Sequence, residues 1–153
     1  MIQSNTVIQS ALKSIEEHPL HHLEIEYRKR IWMLFGESAK GIGAKDISRK
    51  KRYLLAEKTV KFVCCVWINS FPESDLVSGI LKISESVFCD DVEFDSIVKF
   101  YNKAWLKIEE MFSTDKYQDD HHQRAISVAM SAWKVLGITL FDEVNCDGTE
   151  TVD

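Results

Sequence analysis

Trp32, Trp67, Trp105 and Trp133 lie in four different segments of this 153-residue chain, and each segment repeats apolar residues every three or four positions. That period is the signature of amphipathic helices, each needing a neighbour to cover one face. The class it predicts is all-α: about six amphipathic helices in an irregular bundle or stacked helical array. Apolar residues make up 45% and charged residues 28%, enough for one domain with a proper core. Residues 1–141 read as that domain. Residues 142–153 are acidic with little apolar surface to bury, and they read as a disordered tail.

Punctuation divides the chain. Helix one covers Thr6 to Glu17 and ends before His18-Pro19. Helix two covers Leu20 to Glu37 with Leu23, Tyr27, Ile31 and Leu34 as its main stripe. Ile25 and Trp32 form a second stripe, so packing on two sides is expected. Helix three covers Ile47 to Asn69, capped by Asp46 or Ser48, with a wide face from Leu55 to Trp67 that includes Phe62. Arg52 opens that face, its stem over the core edge and its head paired to an acid. Phe71-Pro72 breaks the chain. Helix four, Ser74 to about Phe88, carries two apolar stripes and reads as central. Helix five is the most regular, with Phe94, Ile97, Tyr101, Trp105 and Ile108 on one face. Helix six covers Asp119 to Leu136, with Ile138 to Phe141 as a short extension after Gly137.

Little of this carries chemistry. The glycine-bearing segment Ala39 to Asp46 lacks the phosphate-binding lysine pattern. His18, His21, His22, His121 and His122 are adjacent pairs or straddle Pro19, so they lack the one-turn spacing a helical metal site needs. His122 falls on the line of Ile126, Ala129 and Trp133, as a half-buried structural histidine would. The cysteines show no paired spacing and read as reduced, packed thiols. No catalytic residue, metal or cofactor is expected. There is no secretory signal and no apolar run near the ~20 residues of a membrane span, which points to the cytoplasm.

Charge is more informative. The net charge is -5, yet residues 40–61 hold eight basic side chains against Asp46 and Glu57. Arg49-Lys50-Lys51-Arg52 within that stretch reads as a solvated helix start, with nucleic-acid binding as the alternative. Acids gather before helix five, at Asp90, Asp91, Glu93 and Asp95, and before helix six, at Asp115, Asp119 and Asp120. Those residues are the candidate partner-binding site, suited to a basic protein and repelling nucleic acid. Both loops could lie at one end of the bundle.

A family resemblance adds to this reading. Leu23 and Tyr27-Arg28-Lys29-Arg30-Ile31-Trp32-Met33-Leu34-Phe35-Gly36 are followed by Arg52-Tyr53-Leu54-Leu55-Ala56. Then come Trp67, Phe71-Pro72-Glu73-Ser74-Asp75, the group Tyr101, Asn102, Ala104 and Trp105, and the small residues Ala125, Ala129, Ala132 and Gly137. Together, over about residues 20–140, these are similar to an all-α family of immunity proteins from bacterial polymorphic toxin systems, the family numbered five. The resemblance implies a bacterial cytoplasmic protein that neutralises a cognate toxin by binding it, and no catalysis is expected; the chain itself is expected to be a monomer or weak homo-oligomer. It implies fold-maintaining roles for Arg30, Trp32, Arg52, Trp67, Pro72 and Asp75. The alternatives are a small helical metal protein or enzyme built on the histidine pairs, and a nucleic-acid binder using residues 40–61.

Overall fold

A computed structural model describes residues 2–17, 25–36, 43–89, 92–114 and 119–142. They form six α-helices and, among the described residues, no strand: α1 (Ile2–Glu17), α2 (Ile25–Met33), α3 (Ile47–Ser70), α4 (Leu76–Cys89), α5 (Phe94–Phe112) and α6 (Asp120–Phe141). The all-α expectation is met.

The last four helices run alternately up and down. Arg49, near the start of α3, reaches the Leu140 carbonyl at the end of α6, whereas Phe71, just past α3, meets His122 at the start of α6. These two helices are therefore antiparallel. Tyr53 on α3 lies against Phe88 late in α4, and Tyr101 on α5 against Trp133 on α6, so each successive pair is antiparallel.

The central helix is α6, not α4. It packs against α3, α4 and α5. Gly137 does not end it: Leu136 to Leu140 are all buried and the helix runs on to Phe141. A helix-interior glycine costs about 1 kcal/mol against alanine, which burial of the flanking side chains outweighs. By length and composition α6 could also cross a membrane; here 61% of that stretch is buried inside the bundle, the mark of a core helix. The turn closes on Asp142, whose φ of 55° is left-handed.

Local chemistry sets the other helix ends. Asp46 caps α3 by accepting from the Arg49 backbone N–H at 2.9 Å. Phe71-Pro72 stops α3 as expected, and the Trp67 indole N–H donates to the Ser74 carbonyl at 3.3 Å, fastening the turn into α4. The second helix is shorter than its apolar period predicts. It ends at Met33, a tight turn follows, and Gly36 takes a φ of 87°. Leu34, placed in its main stripe, is exposed; Trp32 instead packs on the core.

Two side-chain groups anchor α3 and α5. On the α5–α6 contact, Tyr101 stacks on Trp133 with centroids 4.4 Å apart, and Trp105 lies 4.7 Å from the same indole. The Trp133 N–H donates to the Tyr101 carbonyl at 3.0 Å, so the polar tip of the ring is satisfied while its face packs. On α3, the Tyr53 hydroxyl donates to Glu57 at 2.8 Å and Lys61 reaches the same carboxylate oxygen at 2.9 Å. Burial first, and then the carboxylate, push the Tyr53 hydroxyl well above its ordinary value.

Candidate functional site

The acids chosen from the sequence separate into two groups. Glu93 and Asp95 open α5, both exposed; the Glu93 carboxylate accepts from the Ser96 hydroxyl at 2.7 Å. Asp119 and Asp120 open α6, also exposed, and Asp120 lies 3.7 Å from Arg124. Asp90, Asp91 and Asp115 fall outside the described residues.

The two groups do not share an end of the bundle. The loops before α5 and before α6 are successive connections, separated by the 19 residues of α5, a rise of roughly 28 Å. At the α5 end, the Gly43 N–H donates to the Leu140 carbonyl at 2.7 Å, and a Cβ on Gly43 would overlap the Phe94 ring. At the other end, Phe71 meets the His122 ring edge-on at 5.4 Å. The connection after Phe71 carries exposed Glu73 and Asp75, so these join Asp119 and Asp120 there. Sequence reasoning passed over that pair because only the alternation of the helices brings the two connections together.

His122 is half-buried, as its position in the apolar line implies. Its Nδ1 lies 2.6 Å from Asp119, and this hydrogen bond, ahead of backbone N–H groups of α6, holds the Asp119 carboxyl below its usual 3.8. A carboxyl lowered in the folded state adds stability above its unfolded value, and loses it as pH falls through the folded value. We expect an NMR titration to place the Asp119 midpoint below 3.8, and the midpoint to rise in His122→Ala. An unchanged midpoint in that variant would show that the imidazole is not the cause.

The basic stretch is a solvated helix start only in part: Lys50 and Lys51 are exposed, but the two arginines are not. Arg49 and Arg52 are 1% and 2% exposed. Arg49 donates to the Leu140 carbonyl at 3.2 Å; Arg52 pairs with Asp142 at 2.5 Å and donates to the Gly36 carbonyl. Its guanidinium also lies 5.8 Å from the Trp32 ring centre. The acid expected for Arg52 is thus Asp142, 90 residues away and assigned to the tail in the sequence reading. With both arginines occupied in the interior, the nucleic-acid alternative loses two of its cations.

What α3 does expose is apolar and basic. Residues 49, 53, 56, 60, 63 and 67, spaced four and three apart, face the core. Residues 51, 55, 58, 62, 65 and 69 repeat the same spacing on the opposite side, and all are exposed. Phe62, placed in the buried face by its apolar character, is 86% exposed. The reason is geometric: Phe62 follows Leu55 by seven residues, two full turns, and neither lies on the line of Val60 and Trp67.

Other chemistry is sparse. Among the described residues no group of three histidine, cysteine or acidic side chains could hold a metal ion. His18, His21 and His22 lie outside the described residues. Cys64 is half-buried, whereas Cys65 and Cys89 are exposed free thiols rather than packed ones.

Neither the curated proteins nor the solved structures hold a significant match to the chain. A family model does match: the one described as immunity protein Imm5 covers residues 8–153, nearly the whole length. A match of that extent spans α2 to α6 and most of α1, the buried arginine corner and both acidic ends, and the chain belongs to the Imm5 family of immunity proteins.

Proposed function

We propose that the protein confers immunity by binding a cognate toxin directly and blocking it, in the cytoplasm of the bacterium that makes both, and that it does so without catalysis. The observation that carries this reading is the family match over residues 8–153. The charge distribution supports a basic toxin domain as the partner. With a net charge of -5 and exposed acids at both ends of the bundle, the protein attracts a basic surface at long range. In this reading Glu93 and Asp95 at one end, with Asp119 and Asp120 at the other, speed encounter, Asp90, Asp91 and Asp115 adding to the same field. The protein acts as a monomer or weak homo-oligomer.

Survival on co-expression with the toxin encoded beside it is the direct test. The protein should restore growth and co-elute with the toxin domain on gel filtration. Reversing Glu93, Asp95, Asp119 and Asp120 to lysine should slow association, with the effect fading above ~0.1 M salt, where screening shortens to ~10 Å. No protection and no complex would end the immunity reading. Protection with association unchanged by the reversals would leave immunity standing and remove the acids from it.

A further inference from the structure

The outward side of α3 carries large apolar side chains that no described residue buries. Leu54, Leu55, Phe62 and Ile68 are 40%, 41%, 86% and 55% exposed, on a helix whose opposite side already supplies its core contacts. A surface helix normally shows one apolar stripe; a second one marks a face that another surface covers. Beside Phe62 the face continues into a shallow groove between α3 and α6, floored by Val63, Val66 and Val128. Ser127 and Ser131 line it too, with their hydroxyls bonded to carbonyls of their own helix, and the exposed Arg124 adds a further cation at its edge.

The charges on this face have one sign. Lys51 and Lys58 lie on the same line as Leu55 and Phe62, exposed and without an ion-pair partner among the described residues. Glu57, the sole carboxylate of α3, is turned inward to Tyr53 and Lys61. Lysines flanking an apolar centre match a surface with an apolar recess and carboxylates at its border. A second copy of α3 would bring lysine against lysine, which disfavours self-association through this face.

We propose that this face of α3, centred on Phe62, is the anchoring surface for the toxin, and that the toxin meets it with an apolar recess bordered by carboxylates. The proposal rests on the toxin-binding reading above and gives that reading its contact. It is compatible with a partner that is basic overall. Net charge governs approach beyond a Debye length, whereas groups within contact distance govern fit. A large aromatic at the centre of the contact carries the affinity, and the acids at the bundle ends act on the rate of encounter.

The test uses the full chain and the toxin domain encoded beside it, with the dissociation constant measured for Phe62→Ala and Lys58→Glu. Both residues are exposed, so an unchanged urea midpoint checks that each variant folds. Phe62→Ala should weaken binding at least tenfold and Lys58→Glu several-fold, with loss of protection in the double variant. Wild-type binding with both variants within twofold of it would overturn the surface and leave the immunity reading intact. Tighter binding by Lys58→Glu would overturn the carboxylate border. Should the free protein be a dimer that Phe62→Ala dissociates, a second copy occupies the face and the proposal fails. If the unsubstituted chain neither protects nor binds, the immunity reading falls and this surface with it.

Discussion

Replacing Arg52 with alanine should destabilise the protein by about 3–5 kcal/mol, read from a urea titration. The side chain is 3% exposed and its partner Asp142 14%, so both charges sit where solvent cannot replace a lost contact. Truncation leaves the Asp142 carboxylate and the Gly36 carbonyl without their donor, and it empties the space under Trp32. The pair is not bidentate: Arg52 Nε and Asp142 Oδ1 are buried without a partner among the described residues. The lower half of the range is therefore the better expectation. Asp142→Ala should cost a similar amount by stranding the guanidinium. The double variant should cost less than the two singles together, because each single change includes the penalty of an orphaned charge. Additive losses would mean that the two residues act separately. A loss below about 1 kcal/mol for Arg52→Ala would place the corner outside the cooperative fold.

Trp67→Ala should also cost about 3–5 kcal/mol. Trp67 is 1% exposed, in contact with Phe71 at 4.6 Å, and its indole N–H secures the turn between α3 and α4. The alanine variant thus combines a cavity with a loosened turn at the end of the bundle that carries Glu73, Asp75, Asp119 and Asp120. Trp67→Phe refills most of the volume and leaves out the hydrogen bond, which is worth about 1 kcal/mol. It should recover most of the loss. If the phenylalanine variant is as unstable as the alanine one, the hydrogen bond rather than packing dominates. The Phe62→Ala variant is the complementary control, since a side chain 86% exposed should leave stability within ~0.5 kcal/mol.

Membership of an immunity family gives these numbers a functional meaning. On the proposed reading the protein must remain folded to hold its toxin, and binding would select the folded state by mass action. Variants of the arginine corner should therefore lose protection through lower folded concentration, and the loss should diminish when the protein is overexpressed. Variants of the α3 face should lose protection at unchanged stability. That contrast separates residues that maintain the fold from residues that touch the toxin.

The sequence by itself determined the class and most helix boundaries. A three-to-four residue apolar period, Phe71-Pro72 and the Asp46 cap are local signals, and local signals are read along the chain. The family resemblance rested on something else, the order of particular residues along the chain, from Tyr27–Gly36 and Arg52–Ala56 to Phe71–Asp75 and Tyr101–Trp105. Tertiary structure decided everything that depends on which face meets which. Position along the chain does not show that the loops before α5 and α6 lie at opposite ends, because that follows from the antiparallel packing of successive helices. It does not show that α6 is central, because a glycine in a helix and a glycine that ends one look alike until the neighbours are present. Apolar character alone put Phe62 inside, and positive charge alone put Arg49 outside; both assignments reversed, whereas the acid expected for Arg52 is present as Asp142. Burial of an arginine depends on acceptors brought from far along the chain, here the Leu140 carbonyl and Asp142. The buried line of α3 is chosen by the partners α4 and α6, and that choice left an aromatic side chain facing solvent.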